Sequence, residues 1–311
     1  MASTPPAYID AFHQSKLRAN ADQAVAVMED CTLCPRQCGV NRLAGETGYC
    51  KIGAKAKVAS YNAHFGEEAP LVGTHGSGTI FFSGCNLLCT FCQNYEISHN
   101  VDGLEVNDDQ LAAMMLDLQR SGCHNINFVT PTHVVPQILS ALITAVDQGL
   151  HVPLVFNTGG YDRVETLQLL DGIIDIYMPD FKFWDNTIAQ HTCQARDYPL
   201  IARNALTEMH RQVGDLVIDK NGSAQKGLLV RHLVMPEGLA GTQEVMRFIA
   251  KKISPNTYVN IMPQYRPCGR TYDIAALNRS LTSQEYQTAL QEAREEGILR
   301  LDTPRRVFVA W

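Results

Sequence analysis

Three cysteines, Cys85, Cys89 and Cys92, stand in a C-x3-C-x2-C run just after the apolar segment TIFFSG, and this run constrains the chain more than any other feature. A cubic 4Fe-4S cluster has four corners, and a protein that only stores or passes electrons usually caps all four with cysteine. Three thiolates in one tight loop leave one iron for an exchangeable ligand, so the loop is a place for chemistry. Zinc is the competing occupant, but structural zinc sites usually pair C-x2-C knuckles and use four ligands.

The 311 residues are 45% hydrophobic and 19% charged, enough for one barrel-sized domain with a large core and a small appendage. A formal net charge of -6 offers no general attraction to nucleic acid or to anionic lipid. The start MASTPPAYIDAFHQ lacks a basic segment followed by an apolar core, and no apolar run reaches the length of a bilayer span. The expectation is a cytoplasmic enzyme with no nucleic-acid and no membrane partner. Of 10 cysteines, all but Cys123, Cys193 and Cys268 fall in two clusters with ligand spacing, which argues for reduced metal ligands rather than a disulfide framework. Those three stand alone in the sequence and read as buried or incidental thiols.

Apolar positions at helical spacing over 8–29 predict an amphipathic N-terminal helix that leads into the first cysteine cluster. Residues 57–76 read as short strands and loops, with 66–70 as a turn. From residue 78 onward, TIFFSG, NINFV, PLVFN, IIDIYM, GLLVRHLVM and YVNIM read as buried parallel strands. Helical periodicity lies between them near 107–121, 134–149, 162–171, 197–214 and 240–253, with a further helix at 282–297 and RRVFVAW as an extra strand. Strand-helix repetition predicts an α/β fold with a helix-covered parallel sheet. The domain expectation is an N-terminal helix and four-cysteine metal module over 1–76, followed by the core with a C-terminal extension over 77–311.

The cysteine run, with Phe91 just before its last cysteine and six strand-helix units around it, resembles the cluster signature of the radical S-adenosylmethionine (radical SAM) superfamily. The resemblance implies a partial (β/α)6 barrel with a small N-terminal Cys-rich metal module. It also implies that S-adenosylmethionine sits on the open iron and is cleaved by one electron to a 5'-deoxyadenosyl radical, which abstracts hydrogen. A flavodoxin- or ferredoxin-like reductant and a protein or small-molecule substrate follow as partners. The phrases CTLCPRQCGVNRLAGETGYC, YMPDFKFWD and ARDYPLIARNALTEMHRQVGDL further resemble the PflX group, relatives of the pyruvate formate-lyase activating enzyme, which points toward glycyl-radical enzyme activation. The competing functions are a peptide- or small-molecule-modifying radical SAM enzyme and a non-catalytic iron-sulfur electron carrier.

In parallel barrels the loops after the carboxyl ends of strands build the active site. After NINFV comes Thr130-Pro131-Thr132-His133, where many radical SAM enzymes carry a Gly-Gly-Glu-Pro run that meets the amino group of S-adenosylmethionine. Backbone carbonyls here, with the Thr130 and Thr132 hydroxyls, are the substitutes. After PLVFN comes Asn157-Thr158-Gly159-Gly160, and after IIDIY comes Met178-Pro179-Asp180-Phe181-Lys182. By resemblance these carry cofactor-binding roles for Thr158, Asp180 and Lys182, with Asn157 where the family has an acid. Arg231 is suited to clamp a carboxylate, and its neighbour His232 points the other way on a strand. Phe91 is counted with the cofactor-binding residues.

The second cysteine set, Cys31, Cys34, Cys38 and Cys50, lies among Pro35, Gly39, Gly45 and Gly48. Four thiolates saturate either a second 4Fe-4S cluster or a zinc ion, which leaves no vacancy for substrate. Its role is then structural, or electron relay if it holds iron.

Overall fold

The computed structural model describes residues 5–302. Its strands are β1 (Ala56–His64), β2 (Ser77–Phe82), β3 (Leu104–Val106), β4 (Ile126–Val129), β5 (Leu154–Thr158), β6 (Ile176–Pro179), β7 (Val217–Ile218), β8 (Ala224–Leu233), β9 (Tyr258–Met262) and β10 (Arg300–Leu301). They form one sheet in the order β10-β9-β8-β6-β5-β4-β2-β1-β3, with β7 paired on β8. From β2 through β4, β5, β6, β8 and β9 to β10 every pairing is parallel. The strand order follows the chain without reversal, so the sheet curls as a partial barrel and leaves its carboxyl ends on one rim. Every residue of β4, β5 and β6 is buried, as strands covered on both faces must be, which is why they read as unbroken apolar runs rather than alternation.

The helices are α1 (Ala7–His13), α2 (Lys16–Ala26), α3 (Ala69–Val72), α4 (Asp108–Arg120), α5 (Val135–Asp147), α6 (Val164–Gln168), α7 (Asn186–Cys193), α8 (Tyr198–Val213), α9 (Thr242–Phe248) and α10 (Ser283–Glu295). Capping boxes start α4 and α10, where Asn107 and Thr282 exchange hydrogen bonds with Gln110 and Glu285. Asp185 accepts from the amides of Thr187 and Ile188 and so starts α7. The core is continuous: Phe82 stacks on Phe128 at 6.3 Å, and Leu111, Met115, Ile138, Leu139 and Leu142 pack α4 and α5 with almost no exposure. Truncating one such leucine to Ala costs about 2–5 kcal/mol.

Several expectations change in detail. The single N-terminal helix is two, because Ser15 takes a left-handed turn (φ 61°) that lets Tyr8 and Ala11 on α1 and Leu17, Ala21 and Ala24 on α2 all reach the core. The 57–76 stretch holds a nine-residue strand, β1, which pairs antiparallel with β2 and with β3 and borders the parallel sheet. The proposed turn at 66–70 runs into the short helix α3. Helix α6 is shorter than 162–171, and α7 had no sequence counterpart. RRVFVAW lies outside the described residues. No helix among the described residues is long and apolar enough to cross a membrane.

Candidate active site

The loop after β2 carries Cys85, Cys89 and Cys92, and two backbone features shape it. Gly84 has φ +76°, and a Cβ there would meet the Cys50 carbonyl oxygen at 2.4 Å, so the loop starts pressed against the N-terminal cysteine module. Leu88 also adopts positive φ (51°), which folds the chain between the first two cysteines. The thiols are already solvated by donors: the Leu87 amide lies 3.3 Å from Cys85 Sγ, and the Ser98 hydroxyl 3.3 Å from Cys92 Sγ. Burial pushes the Cys85 thiol up to about 12 and the Cys92 thiol above its ordinary value. These sulfurs keep their protons until a metal displaces them.

A cavity of about 370 Å³ opens over this loop at the carboxyl ends of the parallel strands. Its walls include all three cysteines, Phe91, Thr130 after β4, Asn157 and Thr158 at the end of β5, Asp180 and Lys182 after β6, and Arg231 from β8. Five strand ends or loops thus deliver to one space residues that are as far apart in the chain as Cys85 and Arg231. Thr130 sits at φ 59°, a strained choice for a β-branched residue, and its amide donates to the Asn157 carbonyl at 2.9 Å. Phe91 meets Phe183 edge-on at 5.7 Å.

Thr132 is placed differently. It is buried outside the cavity wall, and its hydroxyl donates to Asp162 Oδ1 at 2.6 Å while lying 3.1 Å from the Thr158 hydroxyl. Asp162 also accepts from Thr158 at 2.7 Å, so this buried carboxyl braces the ends of β4 and β5 from behind. His133 is likewise structural: its Nε2 is 2.8 Å from the Ser83 carbonyl oxygen, and burial lowers it to about 4. His232 faces away from the cavity, between the Phe181 carbonyl and Thr242, as strand alternation requires.

Asp180 organises the charge. Its Oδ2 lies 2.5 Å from Lys182 Nζ and its Oδ1 accepts from Arg231 Nε at 2.8 Å. Burial alone would raise this carboxyl, but Arg231 and Lys182 outweigh it and hold Asp180 below the usual carboxylate range. Arg231 also donates through Nη2 to Asn157 Oδ1 at 2.7 Å, while its Nη1 lies 3.6 Å from Glu67, beyond good hydrogen-bond length. Arg231 therefore occupies both Asn157 and Asp180, and one guanidinium edge remains loosely engaged. The loops after β5 and β6 are tied together from below by the Tyr198 hydroxyl, which accepts from the Lys182 amide at 2.8 Å and lies 3.0 Å from the Gly159 and Asp180 carbonyl oxygens. Gly160 (φ +77°) must be glycine, since a Cβ would fall 2.2 Å from the Asp180 carbonyl oxygen.

Comparison with known proteins decides the family. The model of the radical SAM superfamily matches residues 79–212. The uncharacterized protein MJ0674 of Methanocaldococcus jannaschii is 34% identical over 282 residues, which is 88% of this chain and 76% of that relative. The chain belongs to the radical SAM superfamily. Enzymes of this superfamily normally use a 4Fe-4S cluster and S-adenosylmethionine together with an electron donor.

Two glutamates of this radical SAM protein escaped sequence reasoning. Glu67, in the 66–70 turn, lines the cavity beside Arg231, and burial pushes its carboxyl up to about 7 against the pull of that guanidinium. Glu68 beside it is buried and accepts from Asn260 at 2.8 Å. Neither position carries a motif; only the antiparallel return of β1 onto β2 brings them to the rim.

The four N-terminal cysteines lie near one another, and Cys50 packs in the same core as Cys89. Cys31, Cys34 and Cys50 are buried and Cys38 is exposed, with the Tyr49 amide 3.3 Å from Cys38 Sγ. Burial, then the neighbouring thiols Cys50, Cys38 and Cys31, raise Cys34 to about 12 against the effect of the Arg36 amide. Beside them, Arg42 is only 1% exposed and donates to the carbonyls of Gly53 and His133, with no carboxylate partner among the described residues. A buried guanidinium without a counter-charge fits a site whose thiols become anionic on binding metal. Among the described residues no group of three or more His, Cys, Asp or Glu is drawn in tightly enough for a single metal ion. A cube asks for a different arrangement, because each thiolate takes its own corner.

Proposed function

We propose that Cys85, Cys89 and Cys92 carry a 4Fe-4S cluster and that the cavity above them receives S-adenosylmethionine. Supplied with one electron, this pair of groups yields a 5'-deoxyadenosyl radical for hydrogen abstraction. The observation that supports the assignment most is the shared cavity: three cysteines with an open side face a lysine and an arginine that one carboxylate holds in place. Lys182 and the loosely engaged Nη1 of Arg231 supply the positive surface for the carboxylate of S-adenosylmethionine. Thr130 and Asn157 offer hydrogen-bonding groups for its amino group and ribose, Thr158 shapes the wall beside them with its hydroxyl held by Asp162, and Phe91 closes the apolar side. Thr132 serves by bracing Asp162 and Thr158. The N-terminal Cys31, Cys34, Cys38 and Cys50 form a closed metal site, a second 4Fe-4S cluster or zinc, within the 1–76 segment. A flavodoxin- or ferredoxin-like protein in the cytoplasm is the electron source, and the sharper activity, by resemblance to the PflX group, is activation of a glycyl-radical enzyme.

The test is anaerobic reconstitution, reduction with dithionite and measurement of 5'-deoxyadenosine. Wild-type protein should form it, and Cys85→Ala, Cys89→Ala or Cys92→Ala should abolish it; product from any of the three variants refutes the assignment. A partner protein that gains a glycine-centred electron paramagnetic resonance signal supports the activating role, whereas deoxyadenosine formation that depends only on a peptide or small molecule favours a modifying enzyme.

A further inference from the structure

Cys193 ends α7, far in sequence from the cluster loop, yet its Sγ lies 3.2 Å from Cys89 Sγ, and both side chains are buried. The approach is fixed on both sides. The Thr90 amide in the cluster loop donates to the Thr192 carbonyl at 2.8 Å. Arg36 donates to the carbonyls of Cys193 at 2.8 Å, Gln194 at 2.6 Å and Asn86 at 2.9 Å, binding the end of α7 and the cluster loop with one guanidinium. Gln194 takes a left-handed conformation (φ 51°) that stops the helix just past the thiol. The other two isolated cysteines make no contact with a ligand sulfur: Cys268 Sγ lies 3.0 Å from the Phe91 carbonyl oxygen of the cluster loop, and Cys123 Sγ 4.0 Å from that of His75.

A cysteine bound to iron has lost its proton and can only accept a hydrogen bond, whereas a free thiol is a weak donor. Resting on the assignment of Cys89 as a cluster ligand, we propose that Cys193 is a positioning residue whose thiol donates to the Cys89 sulfur and raises the reduction potential of the bound cluster. Reduction places extra negative charge on the cluster and its sulfurs, so a donor at a ligand sulfur stabilises the reduced form more than the oxidised one. The short, clamped contact keeps that donor in place without solvent, where its effect is least screened.

The experiment is a redox titration of the reconstituted full chain, following the electron paramagnetic resonance signal that changes when S-adenosylmethionine is added, in wild type, Cys193→Ala and Cys193→Ser. In Cys193→Ala the reduced-to-oxidised ratio at a fixed potential should fall about three- to tenfold, tenfold being about 59 mV for one electron. Cys193→Ser keeps a donor and should recover most of that change, and iron content should match wild type in both. An unchanged ratio in Cys193→Ala overturns the proposal, as does a serine variant that falls as far as alanine. Loss of the responsive cluster from Cys193→Ala also overturns it, since Cys193 would then be a ligand or a packing requirement. The underlying assignment fails separately, if Cys89→Ala retains the signal that responds to S-adenosylmethionine.

Discussion

Replacing Asp180 by Asn removes the only carboxylate in hydrogen-bond contact with Lys182 and Arg231 among the described residues, while leaving the shape of the loop after β6 in place. The side chains of Lys182 and Asp180 are each 14% exposed and that of Arg231 is 17% exposed, so water cannot replace the lost charge. At contacts of about 3 Å and an effective dielectric of about 20, Coulomb attraction is about 5 kcal/mol per pair, and desolvation of the ions offsets most of it. Removing one partner leaves the desolvation uncompensated, and the expected net loss is about 3–5 kcal/mol. Glu67 cannot take over, because it faces Arg231 at 3.6 Å and burial favours its neutral form. Anaerobic urea unfolding measures the loss directly. Adding Lys182→Met to Asp180→Asn should restore part of it, with a coupling of about 1–3 kcal/mol in the double-mutant cycle. A loss below about 1 kcal/mol for Asp180→Asn, or strict additivity in the cycle, would refute the view that this buried triad is held by mutual charge compensation.

Cys34→Ala should remove one metal site while the central loop still assembles its cluster and binds S-adenosylmethionine; elemental analysis of wild type then reads roughly eight irons per chain for two clusters, or about one zinc beside about four irons. Four irons and no zinc in fully reconstituted protein contradicts a filled N-terminal site. At the far end of the sheet, Asp175 accepts from the amides of Ala7 and Leu154 at 2.8 and 2.9 Å, yet burial raises its carboxyl to about 6. Because the folded state holds this proton more tightly than the unfolded chain, the contribution is full below the ordinary carboxylate value and is lost as pH rises through about 6. Unfolding free energy measured between about pH 4 and pH 7 should fall with a shallower slope in Asp175→Asn than in wild type, and equal slopes contradict the burial argument.

The parts legible in the sequence are those where one local pattern answers to one physical demand. Strands buried on both faces must be continuously apolar, and so NINFV, PLVFN and IIDIYM announced β4, β5 and β6. A polar residue directly after such a run must emerge at the barrel rim, which places Thr130, Asn157, Thr158 and Asp180 on the cavity wall together with Lys182. Alternation on β8 separated Arg231 from His232 for the same reason. Thr132 broke the rule because the tight turn at Thr130 redirects the next residues inward, toward Asp162, a carboxyl whose role no linear pattern signals. Glu67 and Cys193 were invisible for a further reason. Each reaches the site through tertiary pairing of distant segments, β1 folding back on β2 in one case and α7 clamped by Arg36 in the other. Spacing reveals ligands that must share a loop; it carries no trace of a group that tunes those ligands from another element. The cluster loop was therefore readable as a chemical site, whereas the surroundings that set its charge and potential depend on contacts that exist only in the folded chain.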